Sequence, residues 1–368
     1  TGALGETNGG GQDAFVMKLN SAGSTVWITQ LGATTTATGG DNSGDDSCYG
    51  VAVDSDGNVY CAGFTSGALG EGNGGSNDIF VLKLNSSGAL QWATQLGDTT
   101  VDSGGNNNGM DHCMDVAVDS SGNVYCSGYT SGAVGESNGG SSDVVLVKLN
   151  SAGALQWVTQ LGGTTVAAGG DNSGGDYCEG VAFDVSGNVY CSGVSYGGLG
   201  EANGGNGDVF VMKVNSAGSL QWVTQLGGAT TASGGDNSGI ETGFALTLDT
   251  AANIYVAGYS SGALGESNGG SKDAIVMKLN SAGTLQWVTQ LGATTKISDG
   301  DNSGDDQCRS IAVDSANSVY CVGDTSGAIG EASGGGLDVF LLKLNTSGEL
   351  QWLTQLGDTT AATGGDNS

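Results

Sequence analysis

A period of 65 residues, kept without insertion or deletion, constrains this chain more than any other feature. The glutamate of LGE falls at Glu6, Glu71, Glu136, Glu201, Glu266 and Glu331, and a tryptophan falls at Trp27, Trp92, Trp157, Trp222, Trp287 and Trp352. Fixed spacing means that each unit occupies an equivalent place in a regular assembly, as in solenoids and propellers. The repeats run 1–65, 66–130, 131–195, 196–260, 261–325 and, in part, 326–368, as one repeat domain.

Each unit contains four stretches with strand character: 13–20 (DAFVMKLN), 24–32 (STVWITQLG), 48–53 (CYGVAV) and 58–64 (NVYCAGF). NSAG at 20–23 and DSDG at 54–57 suit tight hairpin turns that need a left-handed glycine. Longer Gly/Asn/Ser stretches, 33–47 and 65–77, make the other connections, and no glycine-free segment carries a 3.6-residue apolar period. With 71 glycines and no proline, the chain is neither collagen nor a proline-rich linker. Four antiparallel strands per fixed period predict an all-β chain of propeller blades, about six with the last incomplete, which fits within a longer array.

DAFVMKLNSAGSTVW followed by LG, and then DDSCYGVAVDSDGNVYCAGFTSG, resembles the SBBP-type β-propeller repeat, and the match runs through all six copies. The resemblance implies blades in secreted or cell-surface proteins and brings no family-wide catalytic residues with it.

Nine Lys and Arg against 38 Asp and Glu give a net charge of −29. Such a surface repels nucleic acid and anionic membranes and attracts cations. No apolar run approaches the roughly 18–20 residues of a membrane-spanning helix. Thr1 is not a natural start, so a signal or further repeats are expected to have preceded it.

Eight cysteines are expected to pair within units, Cys48 with Cys61, Cys113 with Cys126, Cys178 with Cys191, and Cys308 with Cys321, the competing reading being buried free thiols. The fourth unit has Gly243 and Val256 at both places, a joint loss that intra-unit disulfides predict. With DSDG as a four-residue turn, Cys61 is expected opposite Gly50 and diagonal to Cys48, so a bulge or strong twist is needed to close the bond. Disulfides point to an extracellular or cell-surface setting. Zinc is disfavoured, because CxxC spacing is absent and His112 is the single histidine.

The DNSGDD loop has the oxygen-rich composition of a calcium site, which nominates Asp41, Asn42, Asp45 and Asp46 in the first unit and Asp301, Asn302, Asp305 and Asp306 in the fifth. Glu6, Asn8 and Asp13 form a second oxygen cluster. The competing and heavier reading makes the loop oxygens Asx turns and caps. The tryptophans are read as packing between blades, and Lys18 and its five equivalents as inter-blade ion-pair partners. Asn85 and Asn345 lie in glycosylation sequons.

No catalytic triad, paired carboxylate or phosphate loop stands out, so the sequence reads as a non-enzyme. It reads as an extracellular structural or adhesive scaffold, a building block of a surface filament or coat. The alternative is a calcium-dependent glycan-binding or adhesion module. The chain is 22 residues short of six full repeats, the shortfall matching residues 44–65. This predicts a half blade at 338–357 that is completed by other copies or by neighbouring repeats.

Overall fold

The computed structural model describes residues 11–31, 44–70, 72–96, 109–161, 174–200, 203–226, 239–265, 267–291, 304–330 and 336–356, and every regular element among them is a strand. None of the described elements is a helix long and apolar enough to cross a membrane. The chain divides into two compact units, Thr1–Val166 with Asn172–Phe183 and Asn215–Ser219, and Ala167–Asp171 with Asp184–Val214 and Leu220–Ser368.

In the first unit, β1 (Phe15–Leu19) and β2 (Thr25–Gln30) form a two-stranded sheet. Next comes a four-stranded antiparallel sheet of β3 (Asp46–Val53), β4 (Val59–Thr65), β5 (Asp78–Leu84) and β6 (Leu90–Leu96). A second follows with β7 (Asp111–Val118), β8 (Val124–Thr130), β9 (Asp143–Leu149) and β10 (Leu155–Leu161), and then strand β11 (Asp176–Phe183). The second unit begins with β12 (Val189–Ser195), β13 (Asp208–Val214) and β14 (Leu220–Leu226), paired in that order. Its two complete sheets are β15 (Glu241–Leu248), β16 (Ile254–Ser260), β17 (Asp273–Leu279) and β18 (Leu285–Gln290), and β19 (Asp306–Val313), β20 (Val319–Thr325), β21 (Asp338–Leu344) and β22 (Leu350–Leu356).

Each complete sheet therefore joins the second hairpin of one repeat to the Asp–Trp hairpin of the next. This corrects the expected half blade. Residues 338–344 and 350–356 sit in a full sheet behind β19 and β20, and the two-stranded sheet is β1–β2.

Middle strands are buried on both faces, as β4 and β5 show, because a neighbouring sheet covers each side. In β21 burial alternates instead, and Val339 and Leu341 are exposed. Junctions between sheets repeat one device. The Trp27 indole N–H donates to the Ser86 carbonyl (3.1 Å) and the Thr29 hydroxyl to that of Gly88 (2.6 Å). Trp92 and Thr94 do the same at Ser151 and Gly153, and Trp287 and Thr289 at Thr346 and Gly348. Gly88 has φ 86°, and a Cβ there would lie 2.7 Å from the Trp27 ring. Only glycine admits both the turn and the stacked indole.

The cysteine hairpins contain the bulge their bond requires. Pairing shifts between Cys48 and Gly50, and Cys61 faces Val51 rather than Gly50, one residue from the expected register. The extra residue, Tyr49, kinks the strand and brings the Cys48 and Cys61 Cα atoms to 5.9 Å. Cys113–Cys126 and Cys308–Cys321 are bonded likewise, Cys178 and Cys191 are disulfide-bonded, and no described cysteine is free. The cysteine-free hairpin has the same bulge, between Gly243 and Ala245. The bulge thus belongs to the hairpin itself.

Candidate functional site

Most recurrent polar residues are consumed by the scaffold. Buried Gln95 donates to Asp78 Oδ2 (2.8 Å) and the Gly67 carbonyl (3.0 Å), while its Oε1 accepts the Leu69 and Gly70 amides. Gln160, Gln225, Gln290 and Gln355 repeat the bond to Asp143, Asp208, Asp273 and Asp338. Gln30 makes the bond to Asp13, at 2.7 Å. The sequence reading passed over these glutamines, although a Gln three residues after each Trp was visible as TQ in every copy.

Asp45 Oδ1 accepts the Gln12 amide (2.7 Å), the Asp45 amide donates to Ser66 Oγ (2.7 Å), and Ser271 Oγ donates to Asp305. Asp46 and Asp306 are buried at the starts of β3 and β19, their amides bonded to the Gln12 and Lys272 carbonyls of the same repeat. Asp13 and Asp46, placed in separate clusters by the sequence, line one cavity of about 310 Å³. Glu6, Asn8, Asp41, Asn42, Asp301 and Asn302 lie outside the described residues. Among the described residues no group of three or more His, Cys, Asp or Glu gathers in a metal-holding arrangement.

Two buried carboxylates are electrostatically distinctive. Burial, reinforced by the Asp208 charge, pushes Glu241 up to about 8 despite a hydrogen bond from Ser260 (2.9 Å). Burial, with the charges of Asp273, Asp305 and Asp324, pushes Asp306 up to about 7.

Lys83 corrects the inter-blade ion-pair expectation: it lies 3.9 Å from Asp54 and over the Tyr60 ring, partners within its own sheet. Lys213 repeats this with Asp184 and Tyr190. Lys18, on the two-stranded sheet, does reach the next repeat, at the Ser86 carbonyl. Asn85 and Asn345 head tight turns, each Oδ1 accepting two backbone amides.

A different set of side chains is left for recognition. Rings run from strand to strand across the first unit. Tyr49 lies 5.7 Å from Phe64, Phe64 stacks on His112 at 4.4 Å, His112 meets Tyr129 at 4.9 Å, and Tyr129 meets Tyr177 edge-on at 4.8 Å. Asn77 Nδ2 and His112 Nε2 are 2.9 Å apart, as are Tyr129 Oη and His112 Nδ1. An amide NH₂ can only donate, so Nε2 accepts and Nδ1–H donates to Tyr129. Burial lowers His112 to about 4, which keeps the ring neutral. In the second unit charged side chains meet the equivalent rings: Lys272 covers Tyr259, and Arg309 covers Phe244 while pairing with Asp324 at 2.6 Å.

The SBBP β-propeller repeat model matches residues 26–71, 91–136, 156–201 and 286–331, together half of the chain. The chain belongs to the SBBP β-propeller repeat family. No curated protein matches this SBBP chain. Solved structures that it is similar to include an ulvan lyase of a polysaccharide lyase family, at 11% identity over 84% of this chain and 68% of that one, with a TM-score of 0.46. A Hadza microbial sialidase matches at 9% identity over 83% and 57%, with a TM-score of 0.42. A member of the duf4221 family from Bacteroides vulgatus matches at 10% over 84% and 81%, with a TM-score of 0.39. The reading that set enzymes aside is corrected by these neighbours, because a lyase and a sialidase stand among them. At these identities the likeness concerns the fold and transfers no activity.

Proposed function

We propose that this SBBP chain is an extracellular structural and adhesive scaffold that serves as a unit of a surface filament or coat. The observation that carries the reading is the repeated junction, in which the same indole and hydroxyl bonds lock one sheet to the turn of the next. Side chains used alike in successive copies build an assembly of matched units. Disulfides in the hairpins support an oxidising, extracellular setting.

The partner in this reading is a cysteine hairpin of the same repeat type, from another copy or from neighbouring repeats, added beside β1. Phe15, Met17 and Leu19 are about half exposed there, and an unfilled sheet edge recruits a strand. Sedimentation under non-reducing conditions tests it. Association should grow with concentration and disappear in a Met17→Lys, Leu19→Lys variant, since edge charges block strand addition. A wild-type chain that stays monomeric throughout rejects the assembly.

The second reading, a calcium-dependent glycan-binding module, is favoured by the ring lane of the first unit. A glycan array with calcium and with chelator separates its calcium requirement from sugar binding as such.

A further inference from the structure

Repeats of one chain report which positions the scaffold fixes. Tyr60, Tyr125, Tyr190, Tyr255 and Tyr320 never change, nor does the glycine three residues after each. Beside these fixed residues, one position reads Ser47, His112, Tyr177, Thr242 and Gln307, and another reads Tyr49, Met114, Glu179, Phe244 and Arg309. A third, across the strand pair from the first, reads Phe64, Tyr129, Val194, Tyr259 and Asp324. Packing alone explains why a position is constant. It does not explain why three neighbouring positions carry a different chemistry in almost every copy while the backbone around them repeats.

In the first unit these variable positions hold the continuous ring lane. Tyr49 is 49% exposed, and Phe64, Tyr129, Tyr177 and Glu179 are half-buried, so the lane borders solvent. The neutral His112 donates to Tyr129 Oη, which leaves the Tyr129 hydroxyl proton uncommitted by that bond. The rings present apolar faces, Tyr129 a donor and Glu179 an acceptor. No lysine or arginine occupies the lane positions of this unit, and the chain as a whole carries −29, which disfavours anionic ligands.

We infer that the lane from Tyr49 to Tyr177 binds a neutral oligosaccharide, its sugar C–H faces on the rings and its hydroxyls on Tyr129 and Glu179. This rests on the adhesive reading above. Aromatic side chains with a polar tip supply contact area at low entropic cost and a hydrogen bond at the rim.

The test begins with the intact, oxidised chain on an array of neutral and anionic oligosaccharides, alongside a peptide array. Calorimetric titration with the best-retained neutral oligosaccharide follows. Retention of neutral glycans is expected, with affinity at least tenfold weaker in Tyr49→Ala. Tyr129→Phe, which keeps the ring and removes the hydroxyl, should weaken binding at least threefold while the chain still unfolds cooperatively. Retention of peptides only, no retention of neutral glycans, or unchanged affinity in both variants overturns the inference. Sedimentation reads the scaffold separately, so a failed glycan result leaves the assembly standing, and a monomeric chain that binds glycans does the reverse.

Discussion

At Gly88 two requirements meet in one residue, a left-handed turn and an indole lying where a Cβ would be. Gly88→Ala should cost roughly 2–4 kcal/mol in urea unfolding, more than the roughly 1 kcal/mol of a strained turn alone, because Trp27 must also move. At Gly57, with a similar φ of 77°, the nearest atom to a Cβ is 3.5 Å away, so Gly57→Ala should cost only the turn term. Equal losses at the two sites would remove the indole from the explanation. Gln95 is a second test of single-residue weight. Gln95→Leu takes one donor from Asp78 and leaves two loop amides without their acceptor in a buried place, and a loss of about 3 kcal/mol is expected from unfolding curves.

The cysteine hairpin is the element whose geometry was partly legible. The sequence indicated the bonding partners and the need for a bulge; which residue the bulge would absorb depended on pairing along the whole strand. Because the fourth hairpin keeps the bulge without cysteines, Gly243→Cys with Val256→Cys should form an additional disulfide on oxidation. Loss of two mass units and stabilisation by about 2–3 kcal/mol are expected, mass spectrometry and unfolding being the readouts. Two alkylatable thiols in the oxidised variant would show that this hairpin differs from its siblings.

Across the whole molecule, pH acts through two opposed groups of carboxyls. Glu241 and Asp306 have folded values raised to about 8 and about 7. The stability they contribute is complete below the ordinary carboxylate range and is lost as pH rises through 7 and 8. Asp119, Asp184 and Asp249 are held low by hydrogen bonds from Asn and Tyr that outweigh their burial, so their contribution is lost as pH falls below the same range. The melting temperature should therefore peak near pH 5 and fall by several degrees toward pH 8. Glu241→Gln should raise it at pH 8 and leave it unchanged at pH 5, by differential scanning calorimetry; a variant curve parallel to wild type contradicts the assignment.

The sequence by itself determined the repeat, the four strands, the turns and the cysteine partners, because each is a local pattern of side-chain period, turn chemistry and spacing. Tertiary structure alone decided which hairpins share a sheet, moving the half blade from 338–357 to β1–β2. It also joined Asp13 to Gln30 and placed Phe64 against His112. Such pairs lie on different strands, and hydrogen bonding between strands and stacking between sheets are set by three-dimensional register, which a linear period does not contain.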